Sequence, residues 1–242
     1  MLAVVGGSGW ESFPGLTNVK QLSLDTPYGP LAEPLSLADW NGQSLIFLSR
    51  HGAQHSLAPH QINYRANVWA LREVGVQQVL AINAVGGIGR EMGPGTLVVP
   101  SQLIDYTWGR AHSFWSDQVL HIDFGNPFEG ALRSQILSAA KSLGVALLDG
   151  GTYGCTQGPR LETAAEIRRL AQDGCELVGM TAMPEAALAR ELALDYASLC
   201  IVVNWAAGIS DERITMEAIY QVLEASRAPV QGILGQLLRA DA

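Results

Sequence analysis

Two short stretches carry side chains able to hold an anion or read a polar heterocycle: Gly158-Pro159-Arg160-Leu161-Glu162-Thr163 and, just downstream, Gly179-Met180-Thr181-Ala182-Met183-Pro184-Glu185. Each brings a carboxylate or hydroxyl to the mouth of a helix. A loop feeding a helix start exposes unpaired backbone N–H groups, which favour an anion. Thr181 stands at such a start, where a threonine that only caps its helix is the ordinary alternative. Ser49-Arg50-His51-Gly52 offers a guanidinium fork for an oxyanion and a titratable donor. Taken locally, a surface arginine and a solvated histidine would give the same string. Gly6-Gly7-Ser8-Gly9 can fold its N–H groups and one hydroxyl around a small anion. It breaks the dinucleotide fingerprint, because Ser12 stands where the next glycine belongs. His55 and His60 share a polar loop with His51, without a carboxylate partner, which makes a poor metal site.

These residues need a frame that delivers them to one place. Leu2 to Val5 predicts a buried strand ending at the glycines. Residues 17 to 49 read as strands and turns, with Asn41-Gly42 as a hairpin turn and Ser44 to Leu48 delivering Arg50 and His51. Asn63 to Val74 has helical spacing and stops at Gly75, and Gln78 to Ala84 is a strand that breaks into Val85-Gly86-Gly87. Thr96 to Ile104 reads as one strand, and the aromatic stretch from Asp105 to Asn126 as an irregular functional or interface loop. Further helices are predicted from Phe128 to Leu143, from Leu161 to Gln172 and from Pro184 through Arg190. Strands are predicted at Gly151 to Cys155, Leu177 to Gly179 and Ala197 to Val203, the last ending at Asn204. An amphipathic helix from about Thr215 to Leu238, interrupted near Pro229, closes the chain. Ser8, Arg50, His51, Asn83, Glu162, Thr181 and Asn204 all fall just after strands, as expected of one pocket at a sheet rim.

Composition narrows the class. The 242 residues are 48% hydrophobic with 26 glycines, enough for one α/β domain with a sizeable core. A formal net charge of −8 argues against nucleic-acid or anionic-membrane partners. The best apolar run, Leu199 to Val203, ends at Asn204 and is too short to span a bilayer. Met1 to Val5 has no basic leader, which favours a strand over a signal peptide. Cys155, Cys175 and Cys200 lack metal-ligand spacing and suit reduced, buried thiols of a cytoplasmic protein.

Six ordered motifs, together covering nearly the whole chain, carry a resemblance: Gly6-Gly7-Ser8-Gly9, Thr26-Pro27-Tyr28-Gly29, Ser49-Arg50-His51-Gly52, Asn83-Ala84-Val85-Gly86-Gly87 and the two opening stretches. In this order they resemble the trimeric purine nucleoside phosphorylases and their methylthioadenosine phosphorylase relatives. The resemblance implies a single α/β domain over residues 1–242 with a mixed central β-sheet flanked by helices. It implies a homotrimer, and a pentosyltransferase that cleaves a purine nucleoside with inorganic phosphate as co-substrate, without metal or other cofactor. Carried over by motif, Ser8, Arg50, His51, Ala84 (through its backbone) and Thr181 would hold phosphate, and Met180 would lie against the ribose. Asn204 would donate to the departing purine, with His51 as its catalytic companion at the phosphate.

Base and 5′ group are read separately. Glu162 can accept from N1–H of a 6-oxopurine and Asn204 can donate to N7 or O6, whereas adenine would present an acceptor to Glu162. Relatives acting on ordinary nucleosides place a late histidine near the 5′-hydroxyl, and this chain has none after His121. Met216 and Tyr220, one helical turn apart, resemble the apolar residues that enclose a methylthio group, although core packing would also explain them. His121 is a candidate for reaching a neighbouring subunit's site. The implied substrate is S-methyl-5′-thioinosine. An inosine/guanosine phosphorylase, a methylthioadenosine phosphorylase, a non-catalytic nucleoside-binding protein and, at the level of fold, a nicotinamide-dependent oxidoreductase are the alternatives.

Overall fold

The computed structural model describes every residue except Ala53, Ser116, Asp241 and Ala242. Leu2 to Gly6 is buried throughout and forms a central strand, β1. It is followed by β2 (Thr17–Leu22), β3 (Leu35–Trp40), β4 (Gln43–Ser49), α1 (Tyr64–Glu73), β5 (Gln78–Gly87), β6 (Leu97–Val99) and β7 (Gln102–Asp105). The second half comprises α2 (Ala131–Leu143), β8 (Leu148–Asp149), β9 (Thr152–Cys155), α3 (Ala164–Gln172), β10 (Leu177–Gly179), α4 (Ala182–Glu191), β11 (Asp195–Trp205), α5 (Met216–Ala225) and α6 (Arg227–Ala240).

Because successive strand residues face opposite sides, β1 feeds two apolar layers. Ala3 and Val5 pack with Val68 and Leu71 of α1 and Ala186 and Leu188 of α4. Leu2 and Val4 pack with Ile136 of α2, Leu223 of α5 and Ile233 and Leu237 of α6. Each fully buried aliphatic side chain of this kind contributes roughly 1.5–3 kcal/mol relative to exposure. The expected mixed sheet with helices on both faces is what forms: β1 runs parallel to β4 and β5, and β5 parallel to β11, while β10 is antiparallel to β5.

The pairing of β5 creates the site. One edge is covered by β11 along its whole length, from Gln78↔Asp195 to Gly87↔Trp205. The opposite edge is covered by β1 only as far as Ile82, and β10 takes over at Gly86. Between them, among the described residues, no strand pairs with Asn83, Ala84 and Val85 on that edge. The backbone opens there at the ends of β1 and β4, where ligands enter open α/β sheets.

Several expected boundaries shift. β5 continues through Gly87 instead of breaking at Val85, because β10 and β11 both pair with Gly86 and Gly87. The run from Thr96 to Ile104 is two strands, β6 and β7, separated at Pro100, which has no N–H for a ladder. Helix α3 begins at Ala164, not Leu161: Thr163 is its N-cap, and Thr163 and Glu166 satisfy each other in a capping box. Helix α2 begins at Ala131, not Phe128, and ends as expected at Gly144 in the left-handed conformation. The closing helix divides at Ser226, with Pro229 in the first turn of α6. Asn41-Gly42 forms the hairpin turn, both residues having positive φ. Among the described residues no helix is long and apolar enough to cross a membrane.

Candidate active site

One cavity of about 430 Å³ is lined by Ser8, Arg50, His51, Asn83, Ala84, Glu162, Met180, Thr181, Asn204 and Met216, so most of the expected residues meet. Tyr220 and His121 do not join them. Tyr220 lines a separate groove with Gly9, Glu217 and Arg227, because α5 turns Ile219 rather than Tyr220 toward Met216's cavity. His121 is solvent-exposed on the irregular loop.

On the β4–β1–β5 side, Arg50 is wholly buried. Its fork, expected to face an anion, is instead taken by Glu185, with Nε and Nη2 donating to the carboxylate at 2.7 and 2.8 Å. Nη2 also donates to Asn83 Oδ1 at 3.1 Å, and Tyr196 donates to Glu185 at 2.9 Å. Burial alone would lower the arginine's pKa, but the adjoining carboxylate more than offsets this and raises it. Nη1 remains, reaching the Ile82 carbonyl at 3.4 Å. A Cβ at Gly7 would lie 2.9 Å from Nη1 and 2.7 Å from that carbonyl, so only glycine lets the loop approach this closely. Asn83 Nδ2 is buried without a hydrogen-bond partner and borders the same cavity. An unmatched buried donor beside open β5 backbone suits an oxyanion.

His51 differs from expectation in what it offers. Its Nδ1 lies 2.8 Å from the Leu57 carbonyl, which can only accept, so Nδ1 carries the proton and Nε2 presents a lone pair. Desolvation, aided by the Arg50 charge, lowers its pKa to about 4 and keeps the ring neutral. His55 stacks on it with centroids 4.2 Å apart, and does have a carboxylate partner, Glu11, at 3.1 Å. Glu11 also accepts from the Gly9 N–H at 2.9 Å, tying the glycine loop to the histidine loop. Thr181 is the N-cap residue of α4, yet its side chain makes no capping bond. The ordinary capping explanation therefore fails, and among the described residues the hydroxyl at the cavity has no hydrogen-bond partner.

On the other side, a bulge between Val202 and Asn204 in β11 sets Asn204 beside Gly86. Asn204 Nδ2 donates to the Trp205 carbonyl at 2.7 Å, one of its two hydrogens. Glu162, in the loop between β9 and α3, accepts from the Thr156 hydroxyl at 2.5 Å. Met180 lies between β10 and α4, where Arg110 fastens the backbone through the Met180 and Met183 carbonyls at 2.9 and 2.5 Å. Arg110 also bonds the Gln157 carbonyl at 2.8 Å. Ile214, Met216 and Ile219 give the remaining wall an apolar character. Glu185, Tyr196, Arg110 and Thr156 are the supporting residues to which local sequence assigns no role. Glu185 belongs to the Gly179–Glu185 stretch, but its partner Arg50 is 135 residues away.

A model of the phosphorylase superfamily matches residues 1–239. The chain belongs to the phosphorylase superfamily. Within it, a relative from Xanthomonas campestris described as a probable S-methyl-5′-thioinosine phosphorylase is 50% identical over 242 residues, covering 98% of this chain and 97% of its own. A 6-oxopurine nucleoside phosphorylase from Pyrococcus furiosus is 42% identical over 231 residues, covering 92% and 86%. Among solved structures, the methylthioadenosine phosphorylase from Schistosoma mansoni in complex with adenine superposes with a TM-score of 0.93 at 29% identity, covering 99% of this chain and 91% of that one.

Proposed function

We propose that this phosphorylase cleaves S-methyl-5′-thioinosine with inorganic phosphate, giving hypoxanthine and 5-methylthioribose 1-phosphate. The observation that carries the reading is the composition of one cavity: oxyanion donors where β5 lies open, a Glu162–Asn204 pair across it, and an apolar remainder. Phosphate, held by Ser8, Arg50 Nη1, Asn83, the backbone at Ala84 and Thr181, attacks C1′ as the bond to purine N9 breaks. The electron pair of that bond leaves with the purine, and Asn204 donates to N7 or O6 as negative charge develops. His51 Nε2 accepts a hydrogen bond from a protonated phosphate oxygen or a ribose hydroxyl. Holding both reactants within one cavity removes much of the entropic barrier.

Glu162 favours a 6-oxopurine because it accepts from N1–H; with adenine it would face a lone pair and lose its partner. Met216, Ile214 and Ile219 leave no donor for a 5′-hydroxyl and suit a methylthio group. The homotrimer belongs to the same reading, since Trp108, Trp115, Val119 and Leu120 are all exposed on the 105–126 loop, where His121 also lies. So does a cytoplasmic location, with Cys155, Cys175 and Cys200 all buried and unpaired. The direct assay incubates the protein with S-methyl-5′-thioinosine with and without phosphate. Free hypoxanthine together with a sugar 1-phosphate, only when phosphate is present, is the expected result. Base release independent of phosphate would make it a hydrolase, and binding without release a nucleoside-binding protein.

A further inference from the structure

Glu162 has a cation two residues away, yet is not paired with it. Arg160 grips Glu166 instead, at 2.8 and 2.7 Å, and Glu166 in turn accepts from the Thr163 N–H at 2.7 Å as part of the helix cap. What Glu162 receives is the Thr156 hydroxyl, donated to Oε1 at 2.5 Å. Among the described residues no hydrogen bond reaches Oε2. Thr156 directly follows β9, and its own N–H is bonded to the Gly179 carbonyl at 2.8 Å, so the hydroxyl projects from backbone fixed against β10. Among the described residues that carbonyl is its only other acceptor, at the longer distance of 3.3 Å. Glu162 forms part of the wall between the reaction cavity and a neighbouring one of about 360 Å³, which Thr156 and Gln157 also line. Of these two cavities Thr156 lines the second and not the first, which sets it on the far side of Glu162 from the proposed substrate.

We propose that Thr156 is the positioning residue for base selectivity, holding Glu162 as an acceptor with one oxygen bonded and the other presented to N1–H of a 6-oxopurine. This rests on the assignment of Glu162 to the base given above. A donated hydroxyl fixes the plane of the carboxylate. Without it, Glu162 can rotate away from N1–H. Selectivity for the oxopurine therefore depends on a residue that touches no substrate.

The test measures equilibrium binding of free hypoxanthine and free adenine to wild type, Thr156→Val and Thr156→Ser, with the KM for phosphate alongside. Valine keeps the shape of threonine and removes only the donor; Thr156→Ala serves the same purpose if the valine variant does not fold. Thr156→Val is expected to weaken hypoxanthine binding about tenfold, the worth of one hydrogen bond to a charged group, and to leave adenine binding and phosphate KM unchanged. Thr156→Ser should restore the wild-type preference. Unchanged hypoxanthine binding in Thr156→Val, an equal loss for both bases, or no preference for hypoxanthine in wild type would overturn the proposal. Because base binding is read without turnover, a wild type that prefers hypoxanthine but releases none from S-methyl-5′-thioinosine counts against the reaction alone.

Discussion

At the scale of single residues, Asn204 bears most directly on the chemistry. Its amide has one hydrogen on the Trp205 carbonyl, which leaves the other for the proposed bond to the purine. Asn204→Asp would put an anion against that carbonyl and against the developing charge of the leaving base. Removing one transition-state donor costs on the order of 3 kcal/mol, about a hundredfold in kcat, and that loss is expected for S-methyl-5′-thioinosine in steady-state assays. Glu162 is unchanged in the variant, so adenine nucleosides should not become good substrates. His51 gives a prediction in pH. Burial holds its pKa at about 4 against an ordinary 6.5, so between these values the unfolded chain binds a proton that the native state does not. Stability from this group is therefore complete above about pH 6.5 and lost as pH falls toward 4, on the order of 3 kcal/mol in all. Urea unfolding across that window should show the slope, and His51→Asn, which keeps a donor for Leu57, should flatten it. The residue types at strand ends were legible in the sequence. The state of His51 was not, since the Leu57 carbonyl that fixes its tautomer leaves no trace in composition or spacing.

At the scale of elements, the Arg50–Glu185 pair joins the end of β4 to α4, and Tyr196 extends it to β11. Breaking a buried pair leaves an uncompensated charge, which costs about 3–5 kcal/mol. Glu185→Gln keeps the shape but removes the counter-charge, so a large fall in melting temperature and a raised phosphate KM are expected, with nucleoside KM little changed. Thermal melts and two-substrate kinetics read both; a stable variant with wild-type phosphate KM would remove Glu185 from the support of the site. Periodicity and glycine placement located most elements, because α1, α2 and the central strands obey local rules. Where they failed, a partner decided. β5 extends through its glycines because β10 and β11 claim them, and the start of α3 is set by the Thr163–Glu166 box rather than by Leu161. Tyr220 shares a spacing with Met216 but not a destination, since α5 packs through Ile219 and Leu223.

At the scale of the whole molecule, the 105–126 loop is fastened inward by Arg110 while Trp108 is 71% and Val119 83% exposed. Exposed apolar side chains on such a loop fit a subunit boundary. Analytical ultracentrifugation should show a trimer, and Trp108→Lys should shift it toward smaller species with loss of activity; a fully active wild-type monomer would count against the assembly. The fold class was legible from alternating strands and helices. The gap on one edge of β5 was not, because it depends on where β1 stops relative to where β10 begins.

The central claim, an oxopurine base site joined to an apolar 5′ wall, is tested most directly by kcat/KM for S-methyl-5′-thioinosine, inosine and S-methyl-5′-thioadenosine under saturating phosphate. S-methyl-5′-thioinosine should exceed both of the others. Preference for S-methyl-5′-thioadenosine would contradict the roles given to Glu162 and Asn204, and preference for inosine would contradict the role given to Met216 and its apolar neighbours.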